Sequence, residues 1–146
     1  MKYYMAYGSN LNKLQMARRC KHAAPIGKGV LENYKLVFRR GYLTIEPDED
    51  GMVPVGIWKI SDADELALDR YEGFPRFYRK ETIPVSFPGK NGKVFVDEPC
   101  LVYIMNDGFP IQQASREYLK TVATGYRDFG FSLLPLMDAD LAAAGV

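Results

Sequence analysis

Apolar positions along the chain change period several times, and each change predicts an element. Lys2–Tyr7 is an aromatic and apolar run that reads as a strand. Gly8-Ser9-Asn10 breaks it. Ser9 or Asn10 suits the cap of a helix over Leu11–Cys20, where Leu11, Leu14 and Arg18 share one face and Met16 and Cys20 another. Ala23–Lys28, with Pro25 and Gly27, reads as a connection. Tyr34, Leu36 and Phe38 alternate with Lys35, Val37 and Arg39 as a strand, and Gly41–Ile45 predicts another. Pro47-Asp48-Glu49-Asp50-Gly51 has the composition of a turn, after which Met52–Ile60 resumes strand character.

Ser61-Asp62-Ala63-Asp64 opens the clearest helix. Ser61 is a natural N-cap, and Asp62, Asp64 and Glu65 crowd the positive end. Gly73, followed by Pro75, stops the helix after Glu72. Phe77–Phe87 and Val94–Met105 read as strands on either side of Asn91-Gly92, a strong hairpin signal. Pro110–Arg127 reads as largely helical, and the tail after Phe131 as irregular or as a short alanine-rich turn. This order predicts an α+β fold with a mainly antiparallel sheet. The aromatic, glycine-punctuated strands suit a small closed or half-closed barrel.

Composition narrows the class. A chain of 146 residues predicts one domain over 1–146, and 47% hydrophobic with 25% charged residues is ordinary for a globular protein. Apolar runs fall far short of the ~20 residues that a membrane helix needs, and Met1–Gly8 turns polar too soon for a signal peptide. A net charge of +1 gives nucleic acid no electrostatic footprint, and Arg18-Arg19 and Arg39-Arg40 read as solvated pairs. Cys20 and Cys100 form neither a disulfide framework nor a zinc knuckle and read as core residues, so a reducing, cytoplasmic setting is expected. A single histidine, His22, removes histidine-based zinc sites and leaves proton chemistry to carboxylates, lysines or phenols. Gly89–Lys93 lacks the spacing of a phosphate loop, and Asp48–Gly51 lacks most ligands of a calcium loop.

Two places are chemically odd. Glu72 stands in the last turn of its helix, where the macrodipole disfavours a carboxylate by ~0.3–1 kcal/mol. Asp69 on the same face adds like-charge repulsion, and burial among Tyr71, Phe74 and Phe77 would raise the Glu72 pKa further. A carboxylate so raised suits a general acid/base near neutral pH. The second place is Tyr7-Gly8-Ser9-Asn10-Leu11, a strand-to-helix junction where Gly8 allows a close approach and free N–H groups can hold an anion. On local chemistry alone, a solvated glutamate at a frayed helix end and an ordinary capped turn are the simpler readings.

Together the two sites resemble the γ-glutamylcyclotransferase family, in the AIG2-like superfamily. Tyr7–Leu11 follows an aromatic strand, and Leu68-Asp69-Arg70-Tyr71-Glu72-Gly73 closes a central helix. Thr44-Ile45-x-Pro47, Gly51 and Gly56-Ile57-Trp58 resemble the stretch before that helix. Cys100–Met105 resembles the family's later strand, and Glu117–Lys120 with Gly125 and Gly130 its last helix. The resemblance implies a small mixed β-barrel with flanking helices. It implies release of 5-oxoproline from a small γ-glutamyl amine or amino acid, by attack of the α-amine on its own γ-carbonyl. Glu72 would be the general acid/base, and Tyr7, Gly8, Ser9, Asn10, Leu11, Tyr78, Tyr103 and Tyr118 would bind substrate. No metal or organic cofactor is implied. The expected partner is the small-molecule substrate, with neither nucleic acid nor membrane, in a monomer or homodimer. The alternatives are a non-catalytic small-molecule-binding or interaction module on the same fold, and a nucleic-acid-binding barrel that the charge balance opposes.

Overall fold

The computed structural model describes residues 2–145. Its strands are β1 (Lys2–Ala6), β2 (Ala24–Arg39), β3 (Tyr42–Ile60), β4 (Tyr78–Pro88) and β5 (Val94–Met105), in one sheet of order β2-β3-β1-β5-β4. All neighbours run antiparallel except β1 and β5, which are parallel with Tyr4 opposite Leu101. The helices are α1 (Lys13–Arg19), α2 (Asp62–Glu72), α3 (Arg116–Asp128) and α4 (Leu134–Ala143). The protein is thus a mixed α+β fold on a mainly antiparallel sheet. Among the described residues no helix is long and apolar enough to cross a membrane.

Central position explains the run of β1. Tyr4, Met5 and Ala6 are buried in succession because both faces of that strand are covered, so no apolar–polar alternation survives. The sheet curls until β2 meets β4. A Cβ on Gly27 would lie 2.8 Å from the Phe87 ring, and one on Gly29 3.2 Å from Phe87 Cβ, so only glycine lets the two strands come this near. No ladder joins β2 to β4 among the described residues. The expected barrel is therefore left open along a packed seam.

Five expectations change. Ala23–Lys28, expected as a connection, is mostly the first stretch of β2, with a register shift between Pro25 and Gly27. Pro47–Gly51 lies inside β3: Glu32 faces Met52 while Tyr34 faces Pro47, so residues 48–51 bulge out opposite Asn33. The helix over Leu11–Cys20 is two pieces, a 3₁₀ turn at Ser9–Leu11 and then α1, whose cap is Asn12, accepting from the Gln15 N–H at 3.1 Å. The tail contains α4, which buries Leu136 and Ala139. Its apolar residues lie all round, with Leu134, Met137 and Leu141 exposed, so no helical stripe marks it in the sequence. Pro110–Ala114 is not helical, and α3 begins after the cap Ser115.

The packing of α3 sets the loop after β1. A Cβ on Gly125 would stand 2.6 Å from the Asn12 nitrogen, and one on Gly56 2.7 Å from the Leu11 side chain. Leu11 is fully buried between β3 and α3. With that residue anchored, Tyr7–Asn10 is displayed on one side of the sheet.

Candidate active site

The loop Tyr7–Asn10, the β2–β3 turn with Tyr42 and Leu43, the end of α2, and Tyr118 in the first turn of α3 meet around a cavity of ≈ 770 Å³, joined by Tyr4 of β1, Tyr78 of β4 and Tyr103 of β5. Helix α2 brings Glu72. Its N-terminus is closed by a capping box, with Ser61 Oγ accepting from the Asp64 N–H at 3.1 Å and Asp64 Oδ2 accepting from the Ser61 N–H at 3.0 Å. Its C-terminus ends at Gly73 in the left-handed region, φ 67°, where the Phe74 N–H returns to the Asp69 carbonyl at 2.9 Å. That stop leaves Glu72 as the last helical residue and the one carboxylate among the described residues lining the cavity.

Glu72 Oε1 accepts from Asn10 Nδ2 at 3.3 Å, a long contact. Burial pushes the Glu72 carboxyl from its ordinary 4.5 up to about 7, against the opposing charge of Arg19. The direction was expected, and burial, one of the expected causes, is the one that acts. Asp69 plays no part, because its carboxylate accepts from Tyr103 Oη at 2.6 Å and from Lys80 Nζ at 3.1 Å. Tyr71 and Phe74 are exposed rather than covering the acid. Glu72 instead faces the phenols of Tyr4, Tyr7, Tyr78 and Tyr118, whose pKa values are raised first by burial, with the Glu72 charge adding to it. Those phenols stay protonated, so Glu72 is the lining acid placed to exchange a proton near neutral pH.

The loop residues divide. Tyr7, Gly8, Ser9 and Asn10 line the cavity; Leu11 does not, because its side chain is in the core and its N–H bonds back to Gly8 at 3.0 Å. The turn after Gly8 is a single 3₁₀ turn, not the start of the expected helix. What remains are the N–H groups of Ser9 and Asn10, which lie outside the turn's own hydrogen bonds. Tyr7 Oη donates to the Tyr103 carbonyl at 2.6 Å, and Ser9 Oγ lies 2.8 Å from Tyr71 Oη. Asn10 is 2% exposed; its Nδ2 also donates to Tyr4 Oη at 2.9 Å, and Arg19 donates to its Oδ1. Arg19 also stacks on Tyr71, with its guanidinium carbon 3.4 Å from the ring centroid.

Of the expected tyrosines, Tyr78 and Tyr118 meet on Leu43: Tyr78 Oη donates to its carbonyl at 2.7 Å, and Tyr118 Oη accepts its N–H at 3.2 Å. Tyr103 lines the cavity with its hydroxyl committed to Asp69. Sequence reasoning missed Tyr4, Arg40, Tyr42 and Gln112 in the lining, and Arg19 behind Asn10, whereas Phe77, expected beside Glu72, does line the cavity. The Arg39-Arg40 pair is not simply solvated. Arg39 is tied to Glu46 and to the Phe109 carbonyl, while Arg40 reaches the cavity.

A family model described as Gamma-glutamyl cyclotransferase, AIG2-like, matches residues 4–126, a span that includes most of β1, its loop, α2 and most of α3; the chain belongs to that family. Among solved structures it is similar to one named Gamma-glutamyl cyclotransferase, at 24% identity and TM-score 0.72, covering 99% of this chain and 87% of that one. The uncharacterized protein loc79017 from Homo sapiens gives 24% identity and TM-score 0.70 with the same coverage of 99% and 87%. YkqA from Bacillus subtilis gives 19% and 0.70, covering 99% of this chain but 55% of YkqA. At these identities the likenesses show the fold. A comparison with curated proteins gives no match.

Proposed function

We propose that this protein is a cyclotransferase that releases 5-oxoproline from a small γ-glutamyl amine or γ-glutamyl amino acid. The observation that carries the reading is the meeting of Glu72, its carboxyl raised to about 7, with Asn10 of the Tyr7–Asn10 loop inside one cavity. A carboxyl near the working pH is suited to take a proton and give it back.

In this reading Glu72 accepts a proton from the substrate's α-ammonium. The freed amine nitrogen attacks the γ-carbonyl carbon. A new C–N bond closes the five-membered lactam, and the proton on Glu72 passes to the departing nitrogen as the old amide C–N bond breaks; the freed carboxylate then takes the second proton from the ring nitrogen and hands it to the amine, which leaves as an ammonium ion. No water, metal or organic cofactor enters the balance. Because nucleophile and electrophile share one chain, the protein chiefly has to hold the glutamyl group folded. The N–H groups of Ser9 and Asn10 provide donors for the α-carboxylate or for the oxyanion of the tetrahedral intermediate. The protonated phenols of Tyr4 and Tyr118, whose oxygens accept from Asn10 and Leu43, keep a proton to offer the substrate.

The test is 5-oxoproline release, followed by mass spectrometry over γ-glutamyl amino acids, γ-glutamyl amines and lysine side-chain adducts, with Glu72→Gln alongside. Release that disappears in the variant supports the proposal. Binding without release by the native protein would replace it with a binding module.

A further inference from the structure

The β2–β3 turn is built in a conformation that its first residue disfavours. Arg39 pairs with Tyr42, leaving Arg40-Gly41 as a two-residue hairpin loop with φ values of 53° and 82°. Two positive φ angles define a type I′ turn, for which Asn-Gly is the preferred pair. The β4–β5 tip has that pair in the same region, Asn91 at φ 59° and Gly92 at 74°. Arginine at such a position carries backbone strain, and strain of this kind concentrates at functional sites. The turn is held from outside: the Arg40 N–H donates to the Pro110 carbonyl at 2.9 Å, and Arg39 bridges Ile111.

The side chain explains what the strain accompanies. Arg40 lines the main cavity and also a shallower groove of ≈ 440 Å³ that shares Ser9, Tyr42 and Tyr118 with it and that Glu72 does not reach. Its guanidinium lies 5.1 Å from the Phe77 ring centroid and 5.4 Å from that of Phe109. Rings orient the planar cation without consuming its N–H donors. Among the described residues Arg40 makes no ion pair, in contrast to Arg39, which is bound to Glu46. Arg40 comes from the β2–β3 turn rather than from the acid's helix, and of the two arginines lining the cavity it alone also lines the groove. Arg70, the other lining arginine, is on the acid's own helix.

A bound γ-glutamyl group must turn its α-amine to Glu72, which keeps the α-carboxylate on that side. The leaving group then lies beyond the γ-carbonyl, toward the opposite wall. The geometry points to Arg40 as the residue that binds a carboxylate on the leaving group, selecting γ-glutamyl amino acids over γ-glutamyl amines. This rests on the cyclotransferase reading and names its substrate class.

The experiment compares two substrates that differ only in that carboxylate, γ-glutamyl-L-alanine and γ-glutamylethylamide, in the native protein, Arg40→Met and Arg40→Asn. Native kcat/KM is expected to favour the alanine compound by roughly tenfold or more, the scale of one charge-assisted hydrogen-bonded pair. In both variants the ratio should fall to near one. Arg40→Asn restores the preferred turn pair, so its melting temperature should be no lower than native, which separates lost selectivity from a damaged hairpin. Equal native rates, or a ratio unchanged in the variants, would overturn the role of Arg40 and leave the cyclotransferase reading standing. Release from neither substrate would overturn that reading instead. Calorimetric titration with γ-glutamyl-L-alanine would then decide Arg40: about tenfold weaker binding in Arg40→Met supports it, and unchanged binding removes it.

Discussion

Helix α2 carries a carboxylate side chain near each end, and the two are held in opposite ways. Asp64, 2% exposed, accepts from the Ser61 N–H at 3.0 Å and the His22 N–H at 3.2 Å, at the end where the helix dipole favours negative charge. Glu72 has one side-chain amide at 3.3 Å, at the end where the dipole opposes it. Asp64 is buried with backbone donors on its carboxylate, whereas Glu72 is part-buried beside the cavity with a single amide donor. Satisfied, a carboxylate fastens a helix to the chain before it. Left short of donors beside a cavity, it becomes a group that takes up a proton near neutral pH.

The comparison breaks most visibly at the reactive end. Glu72→Gln keeps the shape and the bond from Asn10 but cannot carry a proton, and it should lower 5-oxoproline formation by about 10²–10⁴-fold, read by single-turnover assays. The stability effect runs the other way. The folded-state pKa of Glu72 lies above its ordinary 4.5, at about 7. The folded protein therefore binds the proton more tightly than the unfolded chain. This contribution is fully present below pH 4.5 and is lost as pH rises to about 7. At pH 8 the ionised group costs at most about 3 kcal/mol, and Glu72→Gln should unfold at higher urea than native. At pH 5 that advantage should shrink.

At the satisfied end, Asp64→Ala removes half of a capping box and strands the His22 N–H. A loss of about 1–2 kcal/mol is expected in urea melts, with the rate per folded molecule within about threefold of native, since the far end of the helix is untouched. The smallest effect tests the carboxylate in between. Tyr103→Phe removes one of the hydroxyl and ammonium donors on Asp69 and leaves Lys80 in place. It should cost about 1 kcal/mol or less, with KM nearly unchanged because that hydroxyl is already committed. A large rise in KM would mean that Tyr103 leaves Asp69 for the substrate.

The difference between the ends also explains what could be read from the sequence. Helix α2 was legible because its signals are local: a Ser cap, early acids and a Gly stop. Glu72 stands out for its place at the end of α2 and for expected burial, and burial is what raises its pKa; the repulsion expected from Asp69 drops out, because only the fold places Asp69 on Lys80 and Tyr103. Pro25, Gly27, Pro47 and Gly51 signalled turns and mark bulges inside long strands instead, since pairing partners far along the chain decide whether a breaker ends a strand or kinks it. Helix α4 has no apolar stripe to read. Leu11 belongs to a recognisable motif, but its burial depends on Gly56 and Gly125 letting α3 close over it. Arg40 was hidden inside a basic pair, and the odd Arg-Gly turn becomes visible only once Arg39 is known to face Tyr42.

The grip on Asn10 gives the acid a direction. Arginine has only N–H donors, so Arg19 binds the carbonyl oxygen of the Asn10 amide and forces the NH₂ toward Tyr4 and Glu72. That NH₂ can greet a carboxylate but has no lone pair for a carboxylic proton. When Glu72 is protonated, its hydrogen finds no acceptor in the Asn10 NH₂ and is left to the cavity side, where phenol oxygens or a bound substrate can accept it. An amide unable to rotate thus acts as a rectifier: the same clamp that steadies the charged acid denies the neutral acid an inward rest, and aims its proton outward.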